Sequence, residues 1–147
     1  MAANELRVLL ADDDMDDCLI FKEALEELPI YAHLTIVHNG DQLMKLLLKD
    51  INHLPDVLYL DLNMPRKNGF ECLTEIRLND KLKALPLILY STSAEQSIIE
   101  RLYQNGAQHF IRKPFDFLEI KRVIHQSLTL IMRETSLQRT KNEFILM

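Results

Sequence analysis

The segment at residues 56–65, DVLYLDLNMP, constrains the fold more than any other part of the sequence. Its short apolar run, bounded by polar and turn-forming residues, predicts a buried strand. Asp61 stands where the run ends and a proline-containing loop begins. In open parallel sheets, ligands bind beyond the carboxyl ends of the strands, so a carboxylate at this position is placed for chemistry rather than for packing.

Strand and helix patterns alternate along the rest of the chain. Besides the run before Asp61, mostly apolar segments predict strands at residues 6–11, 34–37, 85–90 and 109–112. Apolar residues at helical spacing predict helices at residues 15–28, 41–49, 70–78, 94–105 and from 116 to about 132. Five strands alternating with five helices specify an α/β fold, a doubly wound (βα)5 sandwich with a five-stranded parallel sheet and helices on both faces.

Composition narrows the class of protein. The 147 residues fit one domain, and 48% hydrophobic with 27% charged residues is ordinary for a globular protein. The apolar runs are too short to cross a bilayer and no secretory signal is visible, so we expect a cytoplasmic protein. The net charge of −5, with 17 basic residues scattered along the chain, argues against direct DNA binding. Cys18 and Cys72 lack metal-ligand or redox spacing and are expected to be buried thiols.

Polar residues with useful chemistry follow the predicted strands at one edge of the sheet. The carboxylates of Asp12, Asp13 and Asp61 would repel one another there, and a divalent cation would offset that repulsion. Hard oxygen ligands without His or Cys nearby favour Mg²⁺. The ammonium group of Lys113 and the hydroxyl of Ser91 could neutralise the oxygens of a phosphoryl group arriving on Asp61, a reasonable nucleophile for phosphoryl transfer.

Three further acidic residues, Asp14, Asp16 and Asp17, lie at the start of the first predicted helix. Acidic side chains in the first turn complement the helix dipole. We therefore expect these three to be solvated charges outside the core of the site.

Four motifs, in order and each at a strand end, carry a family resemblance. They are LLADDD at residues 9–14, LDLNMP at residues 60–65 with Asn68-Gly69, LYS at residues 89–91, and the stretch from Gly106-Ala107 through Phe110 to Lys113-Pro114-Phe115. Over residues 5–130 the chain resembles the receiver domains of two-component response regulators, in particular the stand-alone chemotaxis-type members. The resemblance implies a flavodoxin-like strand order, 2-1-3-4-5.

For function, the resemblance implies a phosphoacceptor in a two-component phosphorelay. Asp61 would accept a phosphoryl group from a phosphohistidine on a sensor histidine kinase or a histidine phosphotransfer protein. Asp13, Asp61 and the main-chain oxygen of Asn63 would bind Mg²⁺ directly, and Asp12 would act through a metal-bound water.

The same resemblance implies a switch. Ser91 would move to hydrogen-bond the phosphoryl group, and Lys113 would pair with it. The rotamer of Phe110 would report the movement of Ser91 to a protein-binding surface formed by the fourth helix, the fifth strand and the fifth helix. Asn63 and Ser93 would tune hydrolysis of the acyl phosphate.

A backbone feature is implied as well. Lys113-Pro114 matches a position where the family has a cis peptide bond, a geometry that only an X-Pro bond reaches at modest cost.

The expected domain organisation is a receiver domain at residues 1–133 and a C-terminal tail at residues 134–147. The tail is expected to be disordered, docked on the domain, or involved with the last helix in a homodimer. No output domain fits after the fifth helix, so we expect the signal to leave through a downstream protein partner. We expect no membrane to take part.

Two other functions stay open. A phosphatase with an Asp nucleophile, similar to the haloacid-dehalogenase-like enzymes, usually has a second Asp two residues after the nucleophile, where this chain has Asn63. A receiver-like scaffold that is never phosphorylated would not need Asp13, Asp61, Ser91 and Lys113 together. We therefore expect no classical enzyme, only phosphoryl acceptance on Asp61 followed by autodephosphorylation.

Overall fold

The computed structural model describes residues 5–92, 95–133 and 144–146. The strands in these ranges are β1 (Leu6–Ala11), β2 (Ala32–Val37), β3 (Val57–Leu60), β4 (Leu87–Ser91), β5 (His109–Arg112) and β6 (Ile145–Leu146). The helices are α1 (Met15–Glu26), α2 (Gly40–Lys49), α3 (Gly69–Leu78), α4 (Gln96–Gln104) and α5 (Phe117–Arg133), with a 3₁₀ turn at Ile51–His53. The predicted alternation of strand and helix is therefore confirmed as far as α5.

The strands form one parallel sheet in the order β2-β1-β3-β4-β5-β6. The first five follow the predicted order, but the prediction of a five-stranded sheet was wrong by one strand. Without β6, the strand β5 would be an edge with unpaired backbone N–H and C=O groups. β6 has only two residues, too few for an alternating pattern to be visible in the sequence.

Two apolar cores lie on the two faces of the sheet. β3 and β4 are buried along their whole length, as is typical of central strands in a parallel sheet. Side chains of α2, α3 and α4 pack on one face, and those of α1 and α5 pack on the other. Cys18 and Cys72 are buried, one in each core, as predicted. Burial raises the pKa of both thiols to about 12, so both stay protonated at neutral pH.

The loops that follow β1 and β3 contain the residues that cap the next helix. Asp14 is the N-cap of α1 and accepts a hydrogen bond from the backbone N–H of Asp17 at 3.0 Å. Asn68 and Glu71 form a capping box at the start of α3. Because both loops leave the carboxyl edge of the sheet, these caps fix the direction of the chain as it leaves that edge.

The longest helix among the described residues is α5, with 17 residues. Neither α5 nor another helix in these ranges combines the length and the apolar character needed to cross a membrane.

Candidate phosphoacceptor and metal site

The backbone places three side chains at the carboxyl edge of the sheet. Asp12, Asp61 and Lys113 directly follow β1, β3 and β5. The hydrogen-bond ladder continues to each of these residues, because each N–H donates to a carbonyl oxygen of a neighbouring strand at 2.8 to 3.0 Å. The sheet itself therefore brings together three residues that are far apart in the sequence.

The start of α3 packs directly against the backbone of Asp61. A Cβ atom on Gly69 would lie 2.3 Å from the main-chain oxygen of Asp61, much closer than van der Waals contact allows. The N–H of Gly69 donates to the main-chain oxygen of Leu62 at 3.0 Å. The Asn68-Gly69 motif is thus explained by a close approach that only glycine permits.

The ammonium group of Lys113 lies at the centre of the site. Its Nζ is 2.7 Å from Oδ2 of Asp12, 2.8 Å from Oδ2 of Asp17 and 3.5 Å from Oδ2 of Asp61. The side chain of Lys113 is only 6% exposed. Burial by itself would lower the pKa of Lys113, but hydrogen bonds to Asp12 and Asp17 and the charges of Asp12 and Asp61 raise it above its ordinary value. Lys113 therefore stays charged, and its positive charge is shared by the carboxylates of Asp12, Asp17 and Asp61.

Three carboxylates form a cluster beside Lys113. Asp12, Asp13 and Asp61 each place one oxygen within 4.8 Å of the others. Asp12 and Asp61 are buried, whereas Asp13 is exposed. Burial raises the pKa of Asp12 from 3.8 to about 6, despite hydrogen bonds from Lys113 and from the N–H of Asp14 that lower it. Carboxylate oxygens alone, without His or Cys in the cluster, suit Mg²⁺, so these residues fit that cation.

The second oxygen of Asp61 meets two hydrogen-bond donors. The hydroxyl of Ser91 donates to Oδ1 of Asp61 at 3.1 Å, and the main-chain N–H of Asn63 donates to the same oxygen at 3.3 Å. Ser91 and Phe110, on the neighbouring strands β4 and β5, are both fully buried. The carboxylate of Asp61 is therefore approached from two sides, by Lys113 at one oxygen and by Ser91 at the other.

The family model of the response regulator receiver domain matches residues 8–125. The chain belongs to this family. Receiver domains are phosphoacceptors of two-component systems, in which histidine kinases phosphorylate an aspartate. The probable chemotaxis protein CheY of Rhizobium etli is 29% identical over 122 residues, which are 83% of this chain and 92% of that protein.

Solved structures of response regulators resemble this receiver domain in fold and sequence. The crystal structure of response regulator RPA3017 in red light signaling of R. palustris has a TM-score of 0.80 and 27% identity, over 92% of this chain and 99% of that one. The Mn²⁺-bound form of response regulator Rcp1 has a TM-score of 0.76 and 25% identity, over 92% of this chain and 99% of that one.

The structure of this receiver domain corrects two expectations. Asp17 was expected to be a solvated charge, but it pairs with Lys113, which is 96 residues away in the sequence. No local pattern could have identified that pair, because it depends on how the first turn of α1 and the residue after β5 meet at the carboxyl edge of the sheet. The Lys113-Pro114 bond is trans, since the described residues contain no cis peptide bond. Trans is the preferred isomer even before proline, by about 0.5–1 kcal/mol. Ser93 lies outside the described residues.

Proposed function

We propose that Asp61 is the phosphoacceptor of this receiver domain and that its donor is a phosphohistidine on a sensor histidine kinase or a histidine phosphotransfer protein. The observation that carries this proposal is the convergence of Lys113 and Ser91 on the two oxygens of Asp61. Lys113 supplies a positive charge and Ser91 supplies a hydrogen-bond donor, both where a phosphoryl group on Asp61 would need them.

In the transfer, an oxygen of the Asp61 carboxylate attacks phosphorus. The new P–O bond forms as the P–N bond of the phosphohistidine breaks, and the electron pair of the P–N bond stays on the imidazole nitrogen. Lys113 neutralises charge on the phosphoryl oxygens, and the hydroxyl of Ser91 donates a hydrogen bond to one of them. Because Lys113 directly follows β5 and already lies beside Asp61, its ammonium group needs little rearrangement during the reaction.

Asp13, Asp61 and the main-chain oxygen of Asn63 would hold Mg²⁺ directly, and Asp12 would hold it through a water molecule. Bound there, the cation would reduce the repulsion among the carboxylates and between them and the incoming phosphoryl group. The spacing of the carboxylate oxygens supports this assignment, as does the similarity to an Mn²⁺-bound response regulator.

The readout that we propose is a switch formed by Ser91 and Phe110. A phosphoryl group on Asp61 would compete for the hydroxyl of Ser91, which now bonds to the carboxylate. The bond to the phosphoryl group would hold Ser91, and with it the buried Phe110 ring, more firmly in the present arrangement, and so change the surface formed by α4, β5 and α5. A downstream protein partner would bind that surface. Transfer of the phosphoryl group from a phosphohistidine donor would take place in the cytoplasm.

The remaining assignments also belong to this proposal. Residues 1–133 form the receiver domain, and a homodimer would form through the last helix, since residues 144–146 of the tail pair with β5 of their own domain. Asn63 and Ser93 would tune the hydrolysis of the acyl phosphate, so that the protein dephosphorylates itself. Asn63 is close enough for such a role, because its N–H already reaches Asp61.

The experiment that tests this function is intact-protein mass spectrometry after incubation with acetyl phosphate, with and without Mg²⁺. We expect a mass increase of one phosphoryl group that requires Mg²⁺ and is lost in Asp61→Ala. Asp56→Ala is the matched control, because Asp56 flanks the opposite end of the same strand. An adduct that survives in Asp61→Ala would contradict the assignment. No adduct under any condition would favour the unphosphorylated scaffold instead.

A further inference from the structure

A short C-terminal segment, residues 144–146, closes the β5 edge of the sheet. Its strand β6 runs parallel to β5, with Ile145 opposite Phe110 and Leu146 opposite Ile111. The N–H of Phe110 donates to the main-chain oxygen of Phe144 at 2.8 Å. The residue that we assign to the switch is therefore hydrogen-bonded to the C-terminal segment.

Phe144 anchors this segment. Its side chain is 1% exposed, and its ring lies edge-to-face with Tyr103 of α4 at a centroid distance of 5.4 Å. Phe144 and Phe110 belong to the same apolar cluster. The segment thus fills the crevice between α4 and β5, which is part of the surface proposed above for the downstream partner.

The attachment of the segment is small enough to be reversible. β6 has two residues, and Ile145 is 39% exposed. Edge elements with few buried contacts open at a small fraction of the global free energy of unfolding. Only two buried side chains, Phe144 and Leu146, hold the segment, and a ligand that binds elsewhere can shift an equilibrium of that size.

The docked segment coexists with one particular arrangement of the site. Ser91 is bonded to Asp61, and the Phe110 ring is fully buried. Phe144 occupies the crevice beside Phe110 at the edge of the sheet, where an outward-turned Phe110 ring would need space. Docking of the segment and the buried position of Phe110 therefore favour each other.

We propose that the C-terminal segment is a regulatory edge strand whose docking is coupled to phosphorylation. This inference rests on the proposed function, because it assigns to Phe110 the link between Asp61 and the α4–β5 crevice. A phosphoryl group on Asp61 accepts the hydrogen bond of Ser91 and so holds Ser91 and the buried Phe110 ring in the arrangement that favours docking of residues 144–146. Docking in turn strengthens the binding of a phosphoryl mimic to the same degree, since coupling between two sites is reciprocal. A partner at the α4–β5 crevice meets the docked strand in the phosphorylated state.

The direct readout is hydrogen exchange at the amide of Phe110, measured by NMR. That amide is protected by Phe144, so its exchange rate reports docking. We expect addition of beryllofluoride with Mg²⁺, a stable mimic of a phosphoryl group on a carboxylate, to slow exchange at Phe110 by about fivefold or more. The slowing must not depend on protein concentration, because the strand comes from the same chain. Slowing that appears only at high concentration would overturn the intramolecular assignment.

The reciprocal readout is the concentration of beryllofluoride needed for half-saturation, followed by NMR chemical shifts. Phe144→Ala is expected to raise it by about fivefold. Leu146→Ala, which shortens the other buried side chain of the segment, is expected to raise it less. Tyr31→Ala is the matched control, because it removes an exposed aromatic ring next to the opposite edge strand, and it is expected to leave the value unchanged.

The two proposals fail in different ways. If the wild type forms the Asp61 adduct but Phe144→Ala and Leu146→Ala both bind beryllofluoride like the wild type, the coupling is refuted and the phosphoacceptor function stands. If acetyl phosphate gives no adduct on Asp61, the phosphoacceptor function itself is refuted.

Discussion

Two groups of buried polar side chains, on β3 and the elements next to it, differ in how their charges and hydrogen-bonding groups are paired. At the carboxyl edge, Asp61 and Asp12 share one cation, Lys113. Between β3 and α5, the hydroxyl of Tyr59 lies 2.5 Å from that of Ser127, which in turn donates to the main-chain oxygen of Ile124. The second group is neutral and each donor has an acceptor, whereas the first has more negative than positive charge.

The comparison links one group to stability and the other to function, although Tyr59 and Asp61 lie only two residues apart. A neutral, fully bonded pair contributes to stability and has no charge to offer a ligand. A buried cluster with excess carboxylates lowers the free energy of unfolding, and the same excess of negative charge gives the cluster affinity for a divalent cation. A cation bound there would offset the repulsion between the carboxylates and an incoming phosphoryl group. Substitutions in the neutral pair should therefore change stability alone, and substitutions in the carboxylate cluster should change stability and phosphorylation together.

The largest effect is expected for Lys113→Met. This change leaves the buried carboxylates of Asp12 and Asp61 without their cation, so the free energy of unfolding at pH 7 without divalent cations should fall by about 3–5 kcal/mol. Phosphorylation by acetyl phosphate should also be lost. Urea denaturation and mass spectrometry measure the two effects. Lys121→Met is the control, because its ion pair with Glu27 is partly exposed and should contribute at most about 1 kcal/mol. Equal losses in both variants would remove the distinction between the two kinds of pair.

A smaller loss is expected for Gly69→Ala. Its Cβ would collide with the main-chain oxygen of Asp61, and overpacking of this kind costs about 1–3 kcal/mol. The displaced backbone should also slow formation of the acetyl phosphate adduct. Gly106→Ala is the matched control, because Gly106 has a φ of 91° and the substitution is destabilising there without touching the site. Normal adduct formation in Gly69→Ala would show that the close approach serves only the fold.

Asp12→Asn should act in the opposite direction on stability. Asp12 has a pKa of about 6 in the folded protein and 3.8 in the unfolded chain. The folded state therefore holds an extra proton between these values, and this group's contribution to stability is greatest below pH 3.8 and is lost as the pH rises through about 6.

Removing this charge should stabilise the cation-free protein by about 3 kcal/mol at pH 7 and flatten its loss of stability between pH 4 and 6. The same variant should need more Mg²⁺ for phosphorylation. Urea denaturation across this pH range, with the exposed Asp80→Asn as a control, tests the prediction. A destabilised Asp12→Asn protein would mean that the bond to Lys113 outweighs burial.

The smallest effect is expected for Tyr59→Phe. Ser127 keeps its acceptor on Ile124, so no buried donor is left without a partner and the loss should be about 1 kcal/mol in urea denaturation. Although Tyr59 lies on the same strand as Asp61, acetyl phosphate should label the variant like the wild type. A change in labelling would show that the two groups are coupled through β3.

Much of the fold and of the candidate site was predictable because the evidence is local. The apolar run before Asp61, the acidic residues after β1 and the Lys-Pro pair after β5 are each read within a few residues, and parallel strands bring their carboxyl ends to one edge. Local patterns therefore predicted which side chains would meet. They could not predict how charge would be distributed among them, because that depends on burial.

The sequence by itself determined the alternation of strands and helices and the positions of Asp61, Ser91 and Lys113 at strand ends, because side-chain periodicity and chain order encode them. Only the tertiary structure decided that Asp17 pairs with Lys113 and that Phe144 fills the crevice beside β5. Both contacts join segments that are distant in the sequence, and each involves too few residues to leave a periodic pattern. Their formation depends on the close packing of elements that the rest of the chain has already placed.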